Sequence, residues 1–128
     1  MSEEHKNTVR RFIEKAWNQG DMAAWDGFFA AGFVYHDPAS PSVHTLEEYR
    51  AFICNIPAIS SDIRYTIDDM IAEEDKVVFR YSCRGTVAKN GKKFSHIGIG
   101  ICCFAGEKIA EIWDVYDALG IQRQLAGG

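Results

Sequence analysis

Toward its C-terminal end the sequence runs Glu111-Ile-Trp-Asp-Val-Tyr-Asp117, an apolar segment interrupted by carboxylates, an indole and a phenol. A plain core strand would carry Val, Ile and Leu here, so the segment reads as the wall of a pocket that handles protons. His96 lies one strand earlier. An imidazole beside a carboxylate fits general acid–base chemistry, in which one group takes a proton while the other orients or donates. The competing reading is a buried His–Asp hydrogen bond that only closes the end of a sheet. A second concentration of polar chemistry, Tyr35-His36-Asp37-Pro38, precedes a Pro- and Ser-rich stretch that could form a lid, although Asp-Pro also opens ordinary turns. His5, His36, His44 and His96 lack metal-ligand spacing, and there is no Gly-rich phosphate loop or nucleophile elbow. No metal and no cofactor are therefore expected.

The elements that must position these groups follow from periodicity and punctuation. Val9, Phe12, Ile13, Ala16 and Trp17 recur at helical spacing, and Gly20 ends that helix. Asp21 caps a shorter helix bearing Met22, Trp25 and Phe28/Phe29, expected to stop near Gly32. Phe33 to Pro38 reads as a brief strand. Thr45-Leu-Glu-Glu48 has the spacing of a capping box and opens a third helix that Pro57 stops. Strands follow over Ile63–Ala72, Val77–Val87, Phe94–Phe104 and Ile109–Asp117, with Leu119–Leu125 as a short tail that could form a helical turn. Helices first and an antiparallel meander second is an α+β pattern, with the helices on one face of a curved, mostly antiparallel sheet in a single domain, 1–128.

Hairpin turns set register and so decide which side chains share a face. Two-residue turns at Asn90-Gly91 and Gly106-Glu107 would place Tyr81, Cys83, His96, Gly98, Gly100, Glu111, Trp113, Val115 and Asp117 on one face. His96 would meet Asp117 there, beside a floor of Tyr81 and Trp113 made possible by the two glycines. The other face would carry Arg80, Arg84, Ile97, Ile99, Ile101, Ile112, Asp114 and Tyr116. A sheet apolar on both sides needs cover on both, and the helices suffice for one. The expectation is a homodimer through Ile97, Ile99 and Ile101, with Arg80 or Arg84 pairing with Asp114.

With 128 residues and 47% hydrophobic content the chain can build one real core. Its net charge of -4 and scattered Lys and Arg argue against a nucleic-acid partner. No stretch is long and apolar enough for a membrane span or a secretory leader, so neither a membrane nor an extracellular setting is expected, and the protein is read as cytoplasmic. Cys54, Cys83, Cys102 and Cys103 show no C-x-x-C spacing and read as small apolar residues.

Three stretches carry a family resemblance: Phe12 to Trp17 with Asn18-Gln-Gly-Asp21, then Tyr35-His-Asp-Pro38, and Gly106 through Gly120 with Gln124-Leu125. Across nearly its whole length the chain resembles SnoaL-like polyketide cyclases of the NTF2-like (cystatin-like) superfamily. The resemblance implies an α+β cone around a cofactor-free pocket, in which an aspartate and a histidine handle protons during an intramolecular aldol closure. The histidine falls at His96. The resemblance leaves Asp114 and Asp117 open as the aspartate, and the register above selects Asp117. The expected activity is therefore cyclase- or isomerase-type acid–base catalysis on an apolar, carbonyl-containing small molecule, with Asp117 and His96 catalytic. Tyr35, His36, Asp37, Tyr81, Glu111 and Trp113 would position the substrate, Glu111 at the margin. A non-catalytic small-molecule-binding module is the alternative on the same scaffold. Epoxide hydrolysis, which in this superfamily uses an Asp-Arg-Asp arrangement, ranks last because Arg80 and Arg84 face away.

Overall fold

In the computed structural model, which describes residues 2–126, the first helix α1 (Ser2–Phe12) buries Val9 and Phe12 and passes into a π-helical turn over Ile13–Asn18. That wider turn keeps Ile13, Ala16 and Trp17 inward and presents Asn18, whose side chain clamps the backbone of Tyr65 by accepting from its N–H at 2.7 Å and donating to its carbonyl at 3.0 Å. Gly20, at φ +64, then reverses the chain. Asp21 caps the next turn as expected, by accepting from Ala23 N–H, but that turn is a 3₁₀ helix confined to Met22–Gly27. Phe28 and Phe29 leave it, and strand β1 already begins at Phe29 (Phe29–His36). Gly32 lies within β1 at φ +77, where pairing with the neighbouring strand is interrupted.

Thr45 and Glu48 form the expected capping box of α2 (Leu46–Cys54). Pro57 does not simply end it: it occupies the first turn of a separate short helix, α3 (Ile56–Ile59), where the missing N–H costs nothing. The remaining strands are β2 (Arg64–Glu73), β3 (Lys76–Thr86), β4 (Lys93–Ala105) and β5 (Lys108–Tyr116), followed by α4 (Ala118–Ala126), in which the helical turn expected of the tail extends over nine residues. The sheet order is β1-β5-β4-β3-β2, antiparallel except for the parallel β1–β5 pair. Its inner face packs on α1, the π turn and α2, with Phe12, Trp25, Phe29 and Tyr49 meeting largely edge to face.

Register is where expectation and structure part. The β3–β4 connection is not a two-residue turn. Val87 and Lys92 pair, Gly91 N–H donates back to Val87 carbonyl, and Ala88 to Gly91 form a four-residue loop with Gly91 at φ +71. The register consequently shifts by two, with His96 opposite Cys83 and Gly98 opposite Tyr81. An even shift preserves facing, so the inward set on these strands is as expected. The β4–β5 turn is the expected Gly106-Glu107, yet Phe104 pairs with Ile109 and Cys103 with Glu111, leaving Ala110 as an extra residue. This one-residue bulge inverts every side chain beyond it. Ile112, Asp114 and Tyr116 point inward, while Glu111, Trp113 and Val115 point outward.

Candidate functional site

A cavity of about 290 Å³ opens between the inner sheet face and the helices, lined mainly by apolar groups from the π turn, α2, α3, β2–β5 and α4. Its apolar walls include Trp17, Phe52, Ile56, Ile59, Phe94, Ile121 and Leu125, and its polar atoms come from Ser60, Asn55, Tyr65, Tyr81, His96, Asp114 and Tyr116. Each side chain is placed by an identifiable local feature. Tyr81 leans over β4 because the residue opposite is Gly98, where a Cβ would come within 2.5 Å of the tyrosine ring; Phe79 does the same over Gly100. Trp17 is fixed by donating its indole N–H to Tyr49 Oη at 2.8 Å.

Asp114 is the buried acid of this cavity, only 5% exposed. Tyr81 donates its hydroxyl to Asp114 Oδ1 at 2.8 Å, and the Tyr35 hydroxyl lies 3.2 Å from Asp114 Oδ2. The same Tyr35 hydroxyl is also 3.2 Å from Asp37 Oδ2. Burial pushes the Asp114 carboxyl from the ordinary range up to about 7, and the charge of Asp37 pushes the same way, against the lowering effect of the two phenols. Burial and the neighbouring carboxylates hold Tyr35 and Tyr81 far above the ordinary phenol range, so both remain protonated donors. Asp37 is also raised by burial, countered by the Ala39 N–H and by the hydroxyls of Tyr35 and Tyr116.

His96 lines the cavity with its ring 5.6 Å from Tyr116 and 6.2 Å from Tyr81. Burial lowers its pKa, with the charge of Asp117 partly opposing, so the imidazole is neutral at pH 7. Its Nδ1 is buried with no hydrogen-bond partner among the described residues. Orphans of this kind are rare in folded proteins, and here the orphan belongs to a cavity-lining side chain.

Several expected site residues are placed elsewhere. Asp117 is not among the residues lining the cavity: it follows β5 and caps α4, accepting from Gly120 N–H at 2.8 Å. Trp113 is 44% exposed on the outer face, stacked on His36 with ring centres 3.9 Å apart. Glu111 is on that face too, 2.6 Å from His36 Nε2. The Ala110 bulge moves Trp113 and Glu111 outward together, and β1 follows β5 in parallel register, carrying His36 to the outer face and Tyr35 to the inner one. Tyr35 reaches Asp114 through its hydroxyl, and Asp37 is linked to Asp114 only through that hydroxyl; neither residue lines the cavity. Tyr81 and His96 line it as expected. Asp114, taken for an outward residue that pairs with Arg80 or Arg84, is inward instead; Arg80 lies 3.7 Å from Asp68. One signal in the sequence marks the inversion. Ile109 and Ile112 are both strongly apolar yet three apart, a spacing that lets both be buried only if an extra residue intervenes. Among the described residues no cluster of three or more His, Cys, Asp or Glu could hold a metal ion, and no helix is long and apolar enough to cross a membrane.

An α+β cone whose helices and curved sheet flank an apolar cavity with a buried carboxyl in its wall is the NTF2-like fold. The chain belongs to the SnoaL-like polyketide cyclase family, whose match covers residues 7–125. Among solved structures, it is similar to TsrD from Streptomyces laurentii, with 28% identity over 98% of this chain and 96% of that one, at a TM-score of 0.84. A SnoaL-like polyketide cyclase candidate from Jannaschia sp. CCS1 has a TM-score of 0.89 at 16% identity, covering 100% and 95% of the two chains. The polyketide cyclase candidate IdmH from Streptomyces antibioticus has a TM-score of 0.85 at 23% identity, covering 95% and 98%. These last two likenesses bear on the fold. None of the curated proteins matches the chain.

Proposed function

We propose that the protein is a cofactor-free acid–base enzyme, cyclase- or isomerase-type, acting on an apolar small molecule that carries a carbonyl group. The observation that carries this reading is Asp114: a buried carboxyl, poised near neutrality, on the floor of an apolar cavity. A base with a pKa near the operating pH combines a useful ionised fraction with proton affinity, which suits removal of a proton next to a carbonyl. Tyr81 and Tyr35 would hold the carboxylate once formed. His96, whose neutral imidazole lines the cavity, would donate a ring N–H to the developing enolate oxygen. In a cyclase the enolate carbon then attacks a second carbonyl of the same substrate; in an isomerase Asp114 returns the proton to another carbon.

The test is solvent exchange. Aryl and alkyl β-dicarbonyl compounds incubated with the protein in D2O should gain deuterium at the carbon between the carbonyls faster than without it. Asp114→Asn should reduce that acceleration by roughly 10²- to 10⁴-fold, and Asp117→Asn should leave it within a few-fold. Compounds that raise the melting temperature but exchange no faster than in buffer would instead make the protein a binding module.

We also propose that a second copy covers the outer sheet face. Ile97, Ile99 and Val115 are each more than half exposed there, beside Trp113. Arg80 and Arg84 on β3 flank these side chains on one side, and Glu111 on β5 flanks them on the other. A two-fold axis running along β4 sets β3 of one copy over β5 of the other, which brings Lys76, level with Glu111 across the sheet, against that carboxylate and packs the isoleucines of the two copies together. Asp114 has no part in this contact.

A further inference from the structure

The Tyr35 hydroxyl stands between two carboxyls, 3.2 Å from Asp37 Oδ2 and 3.2 Å from Asp114 Oδ2, and it has one proton to donate. When Asp114 is ionised, that proton points at Asp114. When Asp114 is protonated, its own O–H can donate to the phenol oxygen, which then turns its proton to Asp37. The orientation of one hydroxyl is thus tied to the protonation of the acid at the cavity floor, and Asp37 is the acceptor that completes the second arrangement. Asp37 is itself held in place: its Oδ1 accepts from Ala39 N–H at 2.9 Å, and its side chain is only 4% exposed.

We propose that Asp37 is the positioning residue of this site, sharing the Tyr35 hydroxyl with Asp114 so that the two carboxyls hold a single proton between them. This rests on the reading of Asp114 as the acid–base group and assigns a role to the Tyr-x-Asp-Pro stretch that is separate from lining the cavity. Two like charges linked through one phenol do not ionise independently, and their titration belongs to the pair. Removal of the first proton leaves one charge in the pocket, and removal of the second is opposed by it.

The other titratable groups facing Asp114 are compatible with this pairing. Tyr49 from α2, Tyr65 from β2 and Tyr81 from β3 are phenols raised by burial that stay neutral through the range concerned. Cys102 and His96 from β4 are likewise held neutral at pH 7, and Tyr116 on β5 is pushed up to about 12 while donating to Asp37. Asp37 is therefore the anion that acts on Asp114 across the phenol.

The proposal is tested on the intact protein with aspartate labelled at the side-chain carboxyl carbon, following Asp37 and Asp114 by carbon NMR from pH 4 to 9. In the wild type each of the two resonances should show two inflections at common pH values. In Asp37→Asn, Asp114 should titrate in one step whose midpoint lies lower by about one pH unit or more. Asp37→Glu, which keeps the charge, should retain a midpoint within half a unit of the wild type. Tyr35→Phe should weaken the shared inflections while both carboxyls remain. An Asp114 midpoint that stays put in Asp37→Asn overturns the proposal. If Asp37→Asn does not fold, wild-type resonances that each titrate in a single independent step overturn it equally. Because no substrate is needed, the two readings fail separately: coupled titration with unimpaired deuterium exchange in Asp114→Asn removes the catalytic role alone, and lost exchange with an unmoved midpoint removes the pairing alone.

Discussion

A carboxyl enclosed by rings and isoleucines keeps its proton to a pH at which an exposed one has long lost it, and that retention is visible in stability as well as in chemistry. For Asp114 the folded-state pKa of about 7 lies above the ordinary 3.8, so between these values the native state binds more protons than the unfolded chain. Stability from this group is therefore greatest below pH 4 and falls as pH rises toward and past 7. The full span is on the order of 4 kcal/mol at 1.36 kcal/mol per unit, an upper figure because the group is coupled to Asp37. His96, lowered by burial, acts in the opposite sense: its penalty appears as pH falls below the ordinary histidine value. The two are separated by comparing Asp114→Asn with wild type in urea at pH 5 and pH 8. The variant should gain in relative stability as pH rises, and a difference independent of pH would show that Asp114 ionises normally.

At the level of elements, β4 and β5 decide the site through two features of opposite kind. Gly98 permits close approach: any side chain there meets the Tyr81 ring, which is the firmest donor to Asp114. Gly98→Ala should cost roughly 1–3 kcal/mol through overpacking and should also shift the tyrosine ultraviolet difference spectrum, since Tyr81 must move. A denaturation midpoint equal to wild type would mean that the ring has room the structure does not show. The Ala110 bulge acts by parity. It was not legible from turn chemistry, because Gly106-Glu107 forms the expected turn and the extra residue comes only afterwards. By contrast, the error at Asn90-Gly91 was harmless, since a shift of two residues leaves each side chain on its own face.

Considered whole, the molecule separates its two faces by chemistry: an apolar cavity with its acid inside, and an outer sheet surface of isoleucine, valine and tryptophan bordered by charge. If a second copy covers that surface, light scattering at micromolar concentration should give twice the chain mass, and Ile97→Lys with Ile99→Glu should return it to one. A wild-type mass of a single chain would leave the face uncovered in solution. Glu111→Ala should weaken association in a salt-dependent way, because it removes the partner proposed for Lys76.

Local signals in the sequence were enough for the order of helices and strands, the Thr45–Glu48 capping box, the Asp21 cap, the inward placement of Tyr81 and His96, and the family's scaffold, since each depends on residues near in sequence or on strict two-residue alternation. Which aspartate of Trp113-Asp-Val-Tyr-Asp117 faces the cavity was decided by the tertiary structure, and the spacing of Ile109 and Ile112 is its one trace in the sequence. That choice rests on one unpaired residue, Ala110, whose insertion is favoured because burying both Ile109 and Ile112 outweighs an unbroken ladder. The same inversion carried Trp113 and Glu111 out to His36, turned Asp114 inward to Tyr81 and Tyr35, and left Asp117 to cap α4.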